Sequence, residues 1–302
     1  MAGMIASPYA EQLARIPVSA HRVDVDGTST AWWEYGEADA PVLVLVHGVR
    51  GDHHGLEPVV AQLPGFRIIS PDLPAFGESA TFASRPHDIE AYADWLGAFI
   101  RTVGVDGPYT LLGHSFGSIV ASTAVARGLT PAPERLVLVN PIGAPALEGP
   151  RGVMTRLAVL YYRTAAALPE RAGFALLRNG LIVRVMSVTM AKTRSKPLRR
   201  WIHDQHDRYF SAFGDRDAVL EAFRASVGHD VSEVARDIRM PTLLVAAERD
   251  DVTPIEAQRR LVALFPDATL EVIPEVGHLI HYETPGDAAA RILRFLRSGA
   301  NA

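Results

Sequence analysis

The chain of 302 residues contains no cysteine. This excludes a cysteine nucleophile, a disulfide framework and thiolate metal sites, without identifying a compartment. No stretch approaches 18 apolar residues, so no membrane span is expected. Met1 to His21 carries Glu11, Arg15 and Pro17 and lacks the apolar centre of a secretory signal, and the expected location is the cytoplasm. There is no repeat and no low-complexity linker. The net charge is −4, which predicts no general attraction to nucleic acid. The segment Arg50-Gly51-Asp52-His53-His54-Gly55 lacks further ligands at metal spacing, and adjacent histidines do not easily face one ion. Neither a metal nor a cofactor is expected, and His53 and His54 read as lining an entrance or capping a helix. What remains is an ordinary globular composition, long enough for one large α/β domain with a sizeable core.

Gly113-His114-Ser115-Phe116-Gly117 sits between an apolar run, Tyr109 to Leu112, and a helix-like stretch, Ser118 to Arg127. Strand, sharp turn and helix push a serine at the turn out of the backbone ribbon, and the flanking glycines spare the turn a Cβ clash with strand and helix. Ser115 is a candidate nucleophile, a poor one until a base takes its proton. Phe116, just after it at a helix N-terminus, would offer its N–H to a developing oxyanion. Two later segments supply partners. Thr242 to Ala247 leads into Glu248-Arg249-Asp250-Asp251, and Thr269 to Ile273 leads to Gly277-His278. His278 would act as base and then as acid, with Asp250 holding its imidazole in one tautomer. Asp251 and His281 are the neighbouring alternatives. His114 reads as a packed elbow residue and Asp72 as a structural turn residue.

His21 to Val25 and Thr30 to Tyr35, separated by Asp26-Gly27, read as an antiparallel hairpin. From Pro41 onward, short apolar runs at 42–46, 67–70, 109–112, 135–139, 242–247 and 269–273 alternate with helical periods. This predicts an α/β fold with a parallel sheet covered by helices on both faces. The acid and the histidine each follow a run at its C-terminal end, where open parallel sheets place their sites. Between Asn140-Pro141 and Met240-Pro241 helical periods take over, at Met154 to Leu168, Arg171 to Met190, Leu198 to Phe213 and Asp217 to Val227. The expected division is a core of residues 1–142 and 236–302 with a helical insertion at 143–235. Residues 146–210 carry 12 Lys and Arg against 4 acids. Either this basic stretch docks on an acidic body, or it steers an anionic substrate or meets an anionic membrane surface.

On these motifs the chain resembles the α/β-hydrolase superfamily over nearly its whole length. The order nucleophile, acid, histidine is that of this family and not of the chymotrypsin or subtilisin types. Val42 to Val49 looks like the family's strand and His-Gly oxyanion loop. Ser70 to Ser79 is similar to its D-x-x-G-x-G-x-S segment, with Ala75 in place of the usual glycine. Gly277-His278-Leu279 with Glu283-Thr284-Pro285 is similar to its terminal histidine loop. The resemblance implies a mostly parallel eight-stranded sheet flanked by helices, with a helical cap over the active site and a small-molecule substrate. It also implies that Val49 supplies the second N–H of the oxyanion hole. In the family the acid follows a G-x-x pattern that Ala247-Glu248-Arg249-Asp250 fits with alanine for glycine. Where members carry the acid before the cap, this chain has Asn140-Pro141, which holds no negative charge.

Serine at the elbow argues against haloalkane-dehalogenase and epoxide-hydrolase chemistry, whose relatives use aspartate there. Hydrolysis of a small carboxylic ester, thioester or lactone through an acyl-serine is the first expectation. C–C bond hydrolysis of a meta-cleavage type diketone comes second, since such relatives usually carry a glycine-rich oxyanion loop and an S-M-G elbow. Cofactor-free perhydrolysis is third, its relatives often having Phe after His-Gly and Met after the serine. A ligand-binding receptor on the same fold is the non-enzymatic alternative.

Overall fold

A computed structural model of the chain describes residues 5–144 and 152–298. Its strands are β1 (Val18–Val25), β2 (Thr28–Tyr35), β3 (Val42–Val46), β4 (Arg67–Pro71), β5 (Tyr109–His114), β6 (Arg135–Val139), β7 (Thr242–Ala247) and β8 (Ala268–Ile273). They form one eight-stranded sheet in the order β1-β2-β4-β3-β5-β6-β7-β8. β2 runs antiparallel to both β1 and β4, and every other pair is parallel. The β1–β2 turn places Asp26 and Gly27 at φ 49° and 81°, two successive left-handed residues whose twist matches a hairpin.

Helices α1 (Ala10–Leu13), α2 (His53–Val60), α3 (Ile89–Thr102) and α4 (Phe116–Ala126) precede β6. Helices α10 (Ile255–Val262), α11 (Ile280–Glu283) and α12 (Pro285–Ser298) follow β7. The continuous apolar runs are explained by burial on both faces. In β3, Val44 and Val46 pack with Trp95 and Phe99 of α3, while Leu43 and Leu45 pack with Leu56 and Val60 of α2 and Ile292 of α12. β6 divides the same way, Leu136 and Leu138 against Val137 and Val139. Alternate side chains of a strand point to opposite faces, so a strand covered twice must be apolar throughout.

Between β6 and β7 the described residues are helices and connections. They form α5 (Gly152–Ala167), α6 (Glu170–Leu177), α7 (Gly180–Met190), α8 (Lys196–Tyr209) and α9 (Arg216–Gly228), with two 3-10 turns at Val231–Glu233 and Ala235–Asp237. None of them joins the sheet. The sequence pattern read Arg171 to Met190 as one helix, but there are two. Asn179 leaves helical geometry, and its side-chain oxygen accepts the N–H groups of Leu181 and Ile182, capping a new helix. Against the expectation of no membrane span, the 21-residue run Glu170–Met190 is long and apolar enough by length and composition to cross one. The break before Gly180 divides it, and Leu181, Val185 and Val188 of α7 are exposed. Of the basic stretch, Arg151 lies outside the described residues, as does Glu148. Arg184 pairs with Asp207 and Arg208 with Asp204 inside the insertion, while Lys192 reaches Asp251 of the core at 2.6 Å.

The sheet sets the stability. Leu138→Ala, at a fully buried position, is expected to lower the unfolding free energy by about 2–5 kcal/mol in urea titration. Val188→Ala, on the exposed face of α7, should stay within ~0.5 kcal/mol. Comparable losses from both would contradict this placement of the core.

Candidate active site

Ser115 stands between β5 and α4 with φ 53° and ψ −119°. A residue with a Cβ held there costs on the order of 1–3 kcal/mol, and close packing enforces it. The Ser115 N–H donates to the Val139 carbonyl at 3.0 Å, and its own carbonyl accepts the Ser118 N–H at 2.8 Å. A Cβ on Gly113 would lie 2.4 Å from the Gly117 oxygen, and one on Gly117 would lie 2.2 Å from the Val46 oxygen. The two glycines thus let α4 sit against β3 and β5, and the turn between them presents the hydroxyl.

The loops after β7 and β8 meet that hydroxyl. His278 Nε2 lies 2.9 Å from Ser115 Oγ, and His278 Nδ1 lies 2.8 Å from Asp250 Oδ2. An ionised carboxylate only accepts, so Nδ1 carries the proton and Nε2 is left to accept from the serine. Asp250 is fully buried and also accepts from the N–H groups of Val252 and Thr253 and from the Thr253 hydroxyl. Burial alone would push its carboxyl up, but the His278 charge and the hydrogen bonds from His278 and Thr253 outweigh that and hold it below the usual range. Asp251 instead pairs with Lys192. The competing histidine, His281, stacks edge-on to His114 at 4.3 Å. Asn140, weighed from sequence only as a rejected position for the acid, has another place. Its Nδ2 donates to the His278 carbonyl at 2.8 Å and its Oδ1 accepts the Ala247 N–H at 2.9 Å, tying the ends of β6 and β7 to the histidine loop. Its φ of 45° is the structural mark, and no spacing in the sequence points to it.

The loop after β3 completes the surroundings. The buried His47 donates from Nδ1 to the Gly48 carbonyl at 2.8 Å and accepts the Leu73 N–H on Nε2 at 2.8 Å, which fixes a neutral tautomer. A Cβ on Gly48 would come 3.2 Å from the Ser115 Cβ, so this loop lies directly on the elbow. The neighbouring Val49 N–H and the Phe116 N–H donate no hydrogen bond among the described residues. Asp72 is a turn hub that accepts the N–H groups of His53 and Glu78 and pairs with the His53 ring. Asp52 caps α2 through the His54 N–H, His53 stacks on Trp33 and His54 on Tyr209. Asp52, His53 and His54 bring ligand atoms within 4.8 Å of one another; His53 Nδ1 lies 3.0 Å from Asp72 Oδ1, and His54 Nδ1 faces Asp52 Oδ1 at 3.4 Å.

The site is enclosed: Ser115 is 7% and His278 8% exposed. The helical insertion touches the surrounding loops. Trp201 packs edge-on to Tyr282, Glu283 accepts the Lys192 N–H, and the Ala212 carbonyl accepts the Gly77 N–H. A cleft of about 610 Å³ lined by Arg178, Arg184, Asp207, Arg208 and Ser211 lies within the insertion and does not include Ser115.

A model of the alpha/beta hydrolase family matches residues 43–292. The chain is 28% identical over 273 residues to the magnesium-chelatase 30 kDa subunit of Rhodobacter capsulatus, covering 88% of this chain and 90% of that one. It is 26% identical over 314 residues to the 2-hydroxy-6-oxo-6-(2'-aminophenyl)hexa-2,4-dienoic acid hydrolase of Metapseudomonas resinovorans, covering 97% of each. Among solved structures, the esterase RhEst1 from Rhodococcus sp. ECU1013 aligns with a TM-score of 0.71 at 25% identity, over 93% of this chain and 98% of that one.

Buried imidazoles give the site a pH signature. Burial, then the nearby His278, pushes His114 down to about 3. Burial, then His203, does the same to His206, and burial, then His114, holds His281 well below the ordinary value of 6.5. The Ser187 hydroxyl bridges Nδ1 of His203 and of His206 at 2.6 Å each. These rings stay neutral in the folded chain while the unfolded chain protonates them below ~6.5. The unfolded state therefore binds more protons between about 6.5 and about 3. Their stabilisation is full above that window and lost as pH falls through it. Urea midpoints should fall from pH 7.5 to pH 5.5, the lowered rings outweighing His54, Glu57 and Glu283, whose raised values act in the opposite sense. A constant midpoint over that interval would contradict the burial of these rings as neutral species.

Proposed function

Since this chain belongs to the alpha/beta hydrolase family, we propose that it hydrolyses a small carboxylic ester, thioester or lactone through an acyl-Ser115 intermediate, without a cofactor. The observation that carries this reading is the pair of aligned contacts on one imidazole, Ser115 Oγ at 2.9 Å and Asp250 Oδ2 at 2.8 Å. His278 Nε2 takes the hydroxyl proton as Ser115 Oγ bonds to the carbonyl carbon. In this reading the oxygen that becomes negative is met by the N–H groups of Val49 and Phe116, neither of which donates to another acceptor among the described residues. The imidazolium, steadied by Asp250, passes its proton to the leaving oxygen or sulfur as that bond breaks. Water then gives a proton to His278 as its oxygen bonds to the acyl carbon, and His278 returns that proton to Ser115 Oγ as the Ser115–acyl bond breaks and the acid leaves. The helical insertion acts as a cap, and the low exposure of Ser115 supports a cycle in which it opens for substrate and closes for chemistry.

A second reading, C–C bond hydrolysis of a meta-cleavage type diketone, draws support from the dienoic acid hydrolase that matches 97% of the chain. The same serine and histidine would serve it. Phe116 after the serine, and Val49-Arg50 in place of a glycine-rich loop, favour the ester reading.

With p-nitrophenyl esters, Ser115→Ala should lower kcat by at least ~10⁴-fold and leave the fold intact. Asp250→Asn should cost on the order of 10⁴ through the wrong imidazole tautomer, whereas Asp251→Asn should be mild. Activity should fall on acidification, because His278 must be neutral to accept the serine proton. A crippling Asp251→Asn beside a mild Asp250→Asn would reassign the acid. Turnover that survives Ser115→Ala would remove the acyl-serine reading.

A further inference from the structure

Arg50 follows Val49 in the loop on the elbow and is only 2% exposed. Its φ is 60°, a left-handed conformation that costs a side-chain-bearing residue about 1–2 kcal/mol. Its guanidinium is permanently charged, yet no carboxylate pairs with it among the described residues. Its partners are neutral oxygens, all from the helical insertion. Nε donates to the Phe210 carbonyl at 3.1 Å, and Nη1 to the Tyr162 hydroxyl at 3.3 Å. Nη2 donates to the Leu177 carbonyl at 2.8 Å and the Ser211 hydroxyl at 3.4 Å. The Phe210 and Phe213 rings lie 4.5 Å and 5.2 Å from its Cζ.

Helix α5 supplies the tyrosine, α6 its last carbonyl, and the chain leaving α8 the remaining two oxygens. Three parts of the insertion thus converge on one cation, one residue from the amide beside Ser115. A buried charge is tolerated only while its hydrogen bonds are met. With the insertion lifted, the guanidinium exchanges every one of these partners for water, and the strained loop keeps only its own turn bond, from the Gly51 N–H to the Gly48 carbonyl at 3.0 Å, and the His47 ring on that carbonyl.

We propose that Arg50 is a positioning residue that couples seating of the helical insertion to placement of the Val49 N–H, so that the oxyanion hole is complete only when the insertion is closed. The oxyanion part rests on the acyl-serine reading above; the clamp itself does not. Open and closed insertions then correspond to slack and set loops, and an acyl-serine is formed mainly under a seated insertion.

The test uses the full chain, p-nitrophenyl ester kinetics across pH, and amide hydrogen exchange. Arg50→Met keeps bulk and removes all donors. It should lower kcat by ~10²-fold, the order of one lost oxyanion donor, with KM within about threefold and the acidic limb of the pH profile unmoved. Exchange should accelerate together in peptides spanning 47–52, 160–178 and 206–213. Arg50→Lys should recover only part of kcat, because a single ammonium does not reproduce the planar fork. Tyr162→Phe carries the test from the insertion side even if Arg50→Met fails to fold. It should reproduce the signature at smaller size, lower kcat with unchanged KM and faster exchange at 47–52. Wild-type kcat in Arg50→Met, or unchanged exchange at 47–52 in Tyr162→Phe, would overturn the coupling. A wild-type chain that turns over no ester, thioester or lactone would sink the acyl-serine reading alone, and the exchange across the two segments would still decide the clamp.

Discussion

Asp250 holds a full negative charge where no solvent reaches it, and the site is arranged around meeting that charge. Its two oxygens take the Val252 and Thr253 amides, the Thr253 hydroxyl and the His278 Nδ1–H. The first three come from its own loop and settle where the carboxylate sits. The fourth comes from the loop after the neighbouring strand, and it decides which nitrogen of His278 carries the proton. Because Nδ1 is committed to Asp250, Nε2 is a lone pair, and Ser115 Oγ is at hydrogen-bond distance from it. Remove the carboxylate and the same ring can present either nitrogen.

Such a contact tolerates little slack, and the C-terminal edge of the sheet supplies the stiffness. Asn140 pins the His278 carbonyl and the Ala247 amide together, so the loops bearing base and acid share one anchor. Five of the described non-glycine residues around this edge have positive φ: Arg50 at 60°, Ala75 at 76°, Ser115 at 53°, Asn140 at 45° and Glu275 at 63°. Left-handed residues with a Cβ persist only where surrounding contacts over-determine them. Ser115 is wedged by the two elbow glycines, Asn140 by its amide bonds, and Ala75 by the bond from its N–H to the Ala80 carbonyl. Arg50 differs, since beside the turn bond from the Gly51 N–H to the Gly48 carbonyl its side chain is held by the insertion.

The parallel strands were legible in the sequence because burial on both faces leaves an uninterrupted apolar run; β3, β6 and β7 occupy 42–46, 135–139 and 242–247 as expected. Ser115, Asp250 and His278 were legible because each ends or follows such a run, and the structure brings the three side chains together. The split between α6 and α7 escaped notice because one asparagine cap interrupts a helix without disturbing its apolar periodicity. The environments of Asn140 and Arg50 were not legible. Their partners are mostly backbone groups, and an apolar pattern shows which face is buried but not which distant carbonyl arrives there. The charge count of the insertion likewise said nothing of Lys192 reaching Asp251.

Chemistry at Ser115 is tested most directly by quenching the wild-type chain in acid within milliseconds of mixing with an excess of p-nitrophenyl ester, digesting it and mapping the added acyl mass. The account predicts one acyl group on the peptide containing Ser115, formed in a burst that matches the first release of p-nitrophenol and absent from Ser115→Ala. Release of p-nitrophenol with the acyl mass on another residue, or with no burst and no adduct at any time, would contradict it.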